Sequence, residues 1–241
     1  MSRQTQSESV LESSGGNTAL KEAPILKTKR LILRPFVASD VDGLVREIMS
    51  DPDVLATLPE GPKTAQEQRI CAQEYIDDYS DPWATKSYGG WAVCSLTDEI
   101  AAPGTLLGWI GFTPSQPHSE LNAAGAELAY GYGKAYWGKG IGYEAARLCV
   151  DWYFREGGHD HLDVCHYAGN AGSIRIIEML GFTHIGDFNL WESVASGRGL
   201  MPTYTLDRGT YITADQNVLA TSSEQPDTSQ EARGWRAWRK F

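Results

Sequence analysis

Three glycines alternate with Lys139 and Ile141 in Trp137-Gly138-Lys139-Gly140-Ile141-Gly142-Tyr143, inside the longer run 131–145. Such spacing suits phosphate chemistry, and three kinds must be told apart. Gly133 to Lys139 nearly meets G-x-x-x-x-G-K-[ST], but Gly140 stands where the magnesium-ligating hydroxyl belongs, so a metal-bound triphosphate is poorly held. Gly140 to Ala145 fits the looser dinucleotide fingerprint, with Asp160 or Asp163 about twenty residues on for a ribose hydroxyl. That fingerprint opens a run of alternating parallel strands and helices. Here it follows three strands that read as a meander, late in the chain. What remains is a strand, a glycine turn and a helix start. Their unpaired N–H groups and the helix dipole make an anion site of roughly half a positive charge. Glycines admit the backbone close to a diphosphate, and Lys139 adds a cation.

The other reactive residues point to less. His159, His161 and Cys165 share one face of a continuous strand while His166 faces the other way, so no four-ligand metal set emerges. His166 stands as an alternative base. No G-x-S-x-G elbow occurs. The four cysteines are widely spaced and read as free thiols in a reducing compartment. The net charge of −10 disfavours nucleic acid and suits a cationic substrate.

These residues need a scaffold, and the chain offers one α/β domain over residues 24–212. Leu31–Arg34 reads as a strand. Ser39 caps a helix to about Met49, and a second runs from Thr64 to Tyr79 with Thr64 and Glu67 at capping-box spacing. Gly90–Leu96, Leu106–Phe112 and Ala126–Tyr132 are the meander strands. A helix follows from about Gly140 to Arg155, then a strand from His161 to Tyr167. Asn170 caps a helix that stops at Gly181, and two last strands flank Ser196–Gly199. Residues 1–23 are polar and read as a disordered tail without a signal peptide's apolar region. Residues 213–241 read as a polar linker ending in the aromatic, basic Gly234–Phe241, in which Trp235, Trp238 and Phe241 share a helical face. That end docks on its own chain or on a sister chain in a homodimer, and is too short to anchor a membrane. The default compartment is the cytoplasm.

Tyr136–Ala145 resembles the coenzyme A pyrophosphate loop of the GCN5-related N-acetyltransferases (GNAT), in particular the branch of ribosomal-protein N-terminal acetyltransferases (RimJ/RimL-like). In the pattern Q/R-x-x-G-x-G/A, Gly140 and Gly142 fit, and Trp137 takes the Gln/Arg place. Thr28–Arg34 resembles the branch's opening strand, Ala126–Tyr130 the strand before the loop, and Asn170–Ser173 with Glu178–Phe182 its later helix. The resemblance covers about 185 residues in order. It implies the GNAT fold, a mixed and mostly antiparallel sheet that splays at the acyl-CoA site and is flanked by helices.

It further implies acetyl-CoA as donor and direct attack by an amine, either a protein N-terminus or a small molecule. Tyr130, Tyr132, Trp137, Gly138, Lys139, Gly140, Ile141, Gly142, Tyr143 and Asn170 would then hold the donor. The backbone from Tyr130 to Tyr132 would pair with the pantetheine arm. Glu127 takes the place of a catalytic carboxylate; read alone, it is equally a solvated strand residue. Many members place a tyrosine in the later helix to assist the departing thiolate. Here that place is Ile177, which leaves Ser173, otherwise an ordinary first-turn serine. Trp83 and Tyr88, in the aromatic segment after the second helix, would line the acceptor pocket; read alone, they equally belong to the core. A noncatalytic acyl-CoA sensor of the same fold and a nucleotide-binding enzyme are the competing readings.

Overall fold

In a computed structural model, residues 23–59, 64–115, 125–190, 197 and 199–214 are described. The two tails read above, apart from Ala23, Thr213 and Ala214, and the turn residues Ser196 and Arg198 lie outside that set.

Eight strands form one sheet, β1 Leu26–Lys27, β2 Leu31–Arg34, β3 Gly90–Ser95, β4 Leu106–Pro114, β5 Ala126–Tyr132, β6 His161–Cys165, β7 Thr183–Phe188 and β8 Met201–Asp207. The spatial order is β1-β2-β3-β4-β5-β6-β8-β7, and only β5 and β6 run parallel. Consecutive strands pair along the antiparallel stretch, as short connections favour. The parallel pair needs a crossover, supplied by α5 Ile141–Arg155.

Alternation along the strands builds two cores. On β5 the even residues Ala126, Leu128 and Tyr132 join α5 residues such as Ala145, Cys149 and Tyr153 in one cluster. The odd-numbered Ala129 packs on the other, with Trp109 of β4 and residues of α1 Asp40–Leu44, α2 Pro52–Leu55 and α3 Ala65–Ser80. α3 lies close to the sheet because glycines floor its seat. A Cβ at Gly111 would come 2.5 Å from Gly90 Cα and 2.8 Å from Tyr79 Cδ1, so Tyr79 rests directly on β3 and β4. α6 Ala171–Leu180 packs beside α5.

Local chemistry sets most helix ends. Thr64 and Glu67 form the reciprocal capping box at the start of α3. Asn170 Oδ1 accepts from Ser173 N–H at 3.1 Å, and Gly181 ends α6 at φ 83°. Ser39 does not cap α1. It already has helical dihedrals, which turn its hydroxyl away from the orphan amides, and no side-chain cap forms. The neighbouring Asp40 carboxylate instead accepts Val37 N–H at 2.9 Å and a two-pronged Arg34. α1 also widens into a π-helical turn over Val45–Met49. Two short helices, α2 and α4 Trp83–Lys86, add to those expected from the sequence. Among the described residues no helix is long and apolar enough to cross a membrane.

Candidate functional site

The sheet parts in its middle. β5 and β6 keep register only at Ala126–Leu162 and Glu127–Asp163. Beyond that the β6 side of residues 128–132 has no strand partner among the described residues, although β4 pairs with all of β5 on its other side. A cleft of about 2540 Å³ runs through this split, from α3 on one face to α5 and α6 on the other.

At one end of the cleft stands the glycine turn. Gly138 and Gly140 have φ of 71° and 76°, in the left-handed region that side chains resist. Gly142 is helical and serves contact: a Cβ there would lie 2.9 Å from Ile176 Cδ1 and 3.4 Å from the Tyr132 ring. Its lack of a side chain seats α5 against α6 and β5, a role the phosphate reading of the three glycines did not assign. The first bond of α5 runs from Glu144 N–H to Gly140 C=O, and no side chain caps the helix. The amides of 138–143 donate to no acceptor among the described residues. Lys139 stands beside them with its ammonium over the Tyr136 ring, and Arg147 and Arg175 line the same end. Bare amides at a helix start, with cations around, match the charge and shape of a diphosphate.

Arg30, in the turn between β1 and β2, holds this loop. It pairs with Glu144 (Nη2–Oε2 2.6 Å, Nε–Oε2 2.8 Å), and its Nη2 also donates to Lys139 C=O at 3.2 Å. Thr28 Oγ1 donates to the other Glu144 oxygen. A carboxylate in the first turn of a helix would compete with a bound anion for the positive helix end. The guanidinium takes that charge up. The sequence reading gave Arg30 no role; its position in Thr28–Arg34 beside the glycine loop is a tertiary fact.

The remaining expected donor-site residues fall around the split. Tyr130, Tyr132, Trp137, Ile141, Tyr143 and Asn170 line the cleft. Trp137 is 43% exposed, and its Nε1–H donates to Tyr132 C=O at 2.8 Å. The carbonyl ending β5 is therefore already engaged by the loop that follows.

Glu127 and Ser173 line opposite faces of the split. Glu127, one of the odd residues, pairs with Thr113 across β4 and so shares the α3 face with Trp109 and Ala129. It is 8% exposed, and the Cys165 thiol donates to its Oε1 at 2.9 Å. Ser173, on the α5 and α6 face, is also 8% exposed and lies 2.9 Å from Tyr130 Oη. His166 borders the cleft too. Its Nδ1–H donates to Tyr167 C=O at 3.0 Å, since a carbonyl can only accept, and Nε2 faces Tyr204 Oη at 3.4 Å.

Trp83 and Tyr88 lie elsewhere. Both are buried in the α5-side core and neither lines the cleft. Trp83 meets Trp91 and Trp152 edge-on, with ring centroids 4.9 and 5.3 Å apart, and Tyr88 packs on Phe112 and Tyr153. Their apolar area is better buried than left in water, and the wide face of α5 receives it. The α3 end of the cleft is lined instead by Leu58, Tyr75, Asp78, Tyr79 and Trp109. Tyr75 and Tyr79 are four apart on α3, the one signal in the sequence that could have found them. Burial and the nearby carboxylates Glu74, Asp77 and Asp81 push the Asp78 carboxyl up. The cations bordering the cleft, among them Lys139, Arg147, Arg155 and Arg175, come from the glycine turn, α5, α6 and the β1–β2 turn, and none from α3.

Comparison with known proteins bears on this arrangement. The family model described as acetyltransferase (GNAT) domain matches residues 30–183. The uncharacterized protein YkkB of Bacillus subtilis is 29% identical over 167 residues, covering 69% of this chain and 90% of its own. An uncharacterized N-acetyltransferase, p20, of Bacillus licheniformis is 27% identical over 173 residues, covering 72% and 89%. Among solved structures, a GNAT-family acetyltransferase from Bacillus anthracis superposes with a TM-score of 0.60 at 20% identity, over 77% of this chain and 99% of its own. The ribosomal-protein-S5-alanine acetyltransferase of Vibrio fischeri gives 0.61 at 14% identity, over 78% and 99%.

Proposed function

The chain belongs to the GNAT acetyltransferase family, and on that premise we propose that it moves acetyl from acetyl-CoA to a primary amine by direct attack in a ternary complex. One observation carries this reading: β5 and β6 part after two residue pairs, beside a helix start whose amides are bare. A long, flat acyl carrier with a diphosphate fits that slot and that helix end together.

Acetyl-CoA supplies the activated acyl carbon, and the chain supplies binding, orientation and proton handling. The amides of 138–143 and Lys139 bind the diphosphate. The open edge of residues 128–132 pairs with the pantetheine arm, and Asn170 adds a contact to its amide. Glu127 accepts the proton of the incoming amine, directly or through water. What supports this role is its place on the α3 face, where the cleft has carboxylates and aromatic rings rather than cations. An α-amine of pKa near 8 is about a fifth neutral at pH 7.4, so a modest base suffices, whereas a lysine amine needs a stronger one. Ser173 faces the departing sulfur from the other side of the sheet. We read the acceptor as a cationic amine, a protein N-terminus or a small molecule, within the RimJ/RimL-like branch.

Calorimetry with acetyl-CoA tests the premise, and saturable heat is expected. No heat at high ligand concentration overturns it. Release of free thiol from acetyl-CoA in the presence of N-terminal peptides or small amines then separates the two acceptor classes.

A further inference from the structure

Tyr130 of β5 and Ser173 of α6 are 43 residues apart in sequence, and their hydroxyl oxygens stand 2.9 Å apart at the edge of the cleft. The serine is not used as a helix cap. Its N–H is satisfied by Asn170 Oδ1, and its Oγ is left for Tyr130. The Tyr130 ring lies against the apolar cluster and beside the Tyr132 ring, 6.2 Å between centroids, which limits where its hydroxyl can go.

Two hydroxyls carry two hydrogens, and their mutual bond uses one. Neither oxygen has another partner among the described residues, so one O–H is left over, and the cleft that both border is open to it. Burial pushes the Tyr130 phenol up, so it stays protonated at physiological pH and the count holds.

We propose that Tyr130 and Ser173 act as one unit, in which Tyr130 is a positioning residue that occupies Ser173 Oγ and turns the serine hydrogen toward the sulfur of the donor. The inference rests on the acetyl-CoA reading above. As the C–N bond forms and the C–S bond breaks, the electron pair goes to sulfur and the amine proton goes to Glu127. Neither a serine hydroxyl nor this phenol is acidic enough to protonate a thiolate whose thiol has an ordinary pKa of about 8.5. The pair therefore lends a hydrogen bond and keeps its protons; on release sulfur takes its proton from water and Glu127 returns the amine proton to water, which closes the balance. The residue expected to meet the sulfur from sequence, Ser173, works here through a strand tyrosine that stands in for the one missing at Ile177.

The thiol of bound CoA reports this directly. A hydrogen bond to the thiolate favours the charged form and lowers the thiol pKa. Thiolate absorbance is titrated against pH for the full chain with CoA, using the complex with desulfo-CoA as reference to subtract the protein's own thiols, Cys165 included. We expect the bound thiol of the wild type to be about one pKa unit, or tenfold, more acidic than in Tyr130→Phe or Ser173→Ala, on the scale of a charge-assisted bond. The double variant should shift no further than either single one. Tyr130→Phe keeps the ring and Ser173→Ala keeps the Asn170 cap, so CoA affinity measured at acid pH, where free and bound thiol are both protonated, should stay within about twofold, which a merely structural role would not spare. A wild-type value matched by both variants overturns the pair. A shift in Ser173→Ala alone overturns the role of Tyr130. A wild type that does not bind CoA overturns the acetyl-CoA reading itself, a different failure seen in the same titration.

Discussion

Arg30 binds Glu144 and the Lys139 carbonyl with one guanidinium, the shortest contact being 2.6 Å from Nη2 to Glu144 Oε2. A trans peptide points its N–H opposite its C=O. With the Lys139 carbonyl held toward Arg30, the Gly140 N–H is turned away from Arg30. Arg30→Met should therefore weaken acetyl-CoA binding by about tenfold in calorimetry, roughly 1.4 kcal/mol, and Arg30→Lys should recover only part of it. S-acetylpantetheine, which lacks the diphosphate, should bind wild type and variant alike. Equal losses for both ligands would mean that Arg30 supports the fold and not the anion site.

Gly140 is the helix-start residue at φ 76°, with nothing nearer its missing Cβ than Arg30 at 3.7 Å. Gly140→Ala tests backbone conformation without a steric clash. Stability should fall by about 1–2 kcal/mol and the thermal midpoint by a few degrees. Acetyl-CoA affinity should fall as well, since relief of the strained dihedral re-aims the amides. A variant as stable as wild type with unchanged affinity would leave the left-handed turn without a role.

Glu127 stands on the α3 face with the Cys165 thiol on its Oε1. A general base must be ionised, so kcat/KM should fall on the acid side of its titration. Glu127→Gln should lower kcat by about 10²–10⁴-fold and abolish that acid limb, with acetyl-CoA affinity kept. A variant with the wild-type pH profile removes Glu127 as base and turns attention to His166.

Trp83 separates a core role from a pocket role. Trp83→Ala should cost about 3–5 kcal/mol, measured by denaturant unfolding, because the cluster with Trp91 and Trp152 cannot close around the loss. Trp83→Phe should keep the KM for an accepted amine. A raised amine KM in a stable Trp83→Phe would return this residue to the acceptor pocket.

Cys165 is the half-buried cysteine of the cleft, whereas Cys71, Cys94 and Cys149 are buried. Burial pushes the Cys94 and Cys149 thiols up, away from the reactive thiolate. Iodoacetamide should label Cys165 first, and acetyl-CoA at a hundred times its Kd should slow that labelling roughly a hundredfold. Labelling that ignores acetyl-CoA would put the donor elsewhere than the β5–β6 split.

The longer strands, the capping box at Thr64, the Asn170 cap and the glycine turn were legible because each is written in a few adjacent residues, whereas the two-residue β1 was not. Ser39 misled because capping depends on the dihedrals of one residue, which sequence does not give, and Asp40 next to it had a stronger partner in Arg34. Trp83 and Tyr88 stayed open between pocket and core for the opposite reason. An aromatic loop segment reads the same whether it faces a pocket or a core, and the answer lay in the breadth of α5. The meeting of Tyr130 with Ser173 and that of Arg30 with Glu144 join segments 43 and 114 residues apart. No local pattern encodes such distances.

The two residue pairs between β5 and β6 have a thermodynamic consequence. They stitch a five-strand sub-sheet, β1 to β5, to a three-strand one, β6, β8 and β7, over one short seam. On the proposed binding mode, a donor lying along residues 128–132 would lengthen that seam and behave as a ninth strand as well as a reactant. Its binding energy would become folding energy, and the melting temperature should climb with the logarithm of acetyl-CoA concentration. Amide exchange should slow along the inner edge of β5 most of all, as the substrate knits the protein that will consume it.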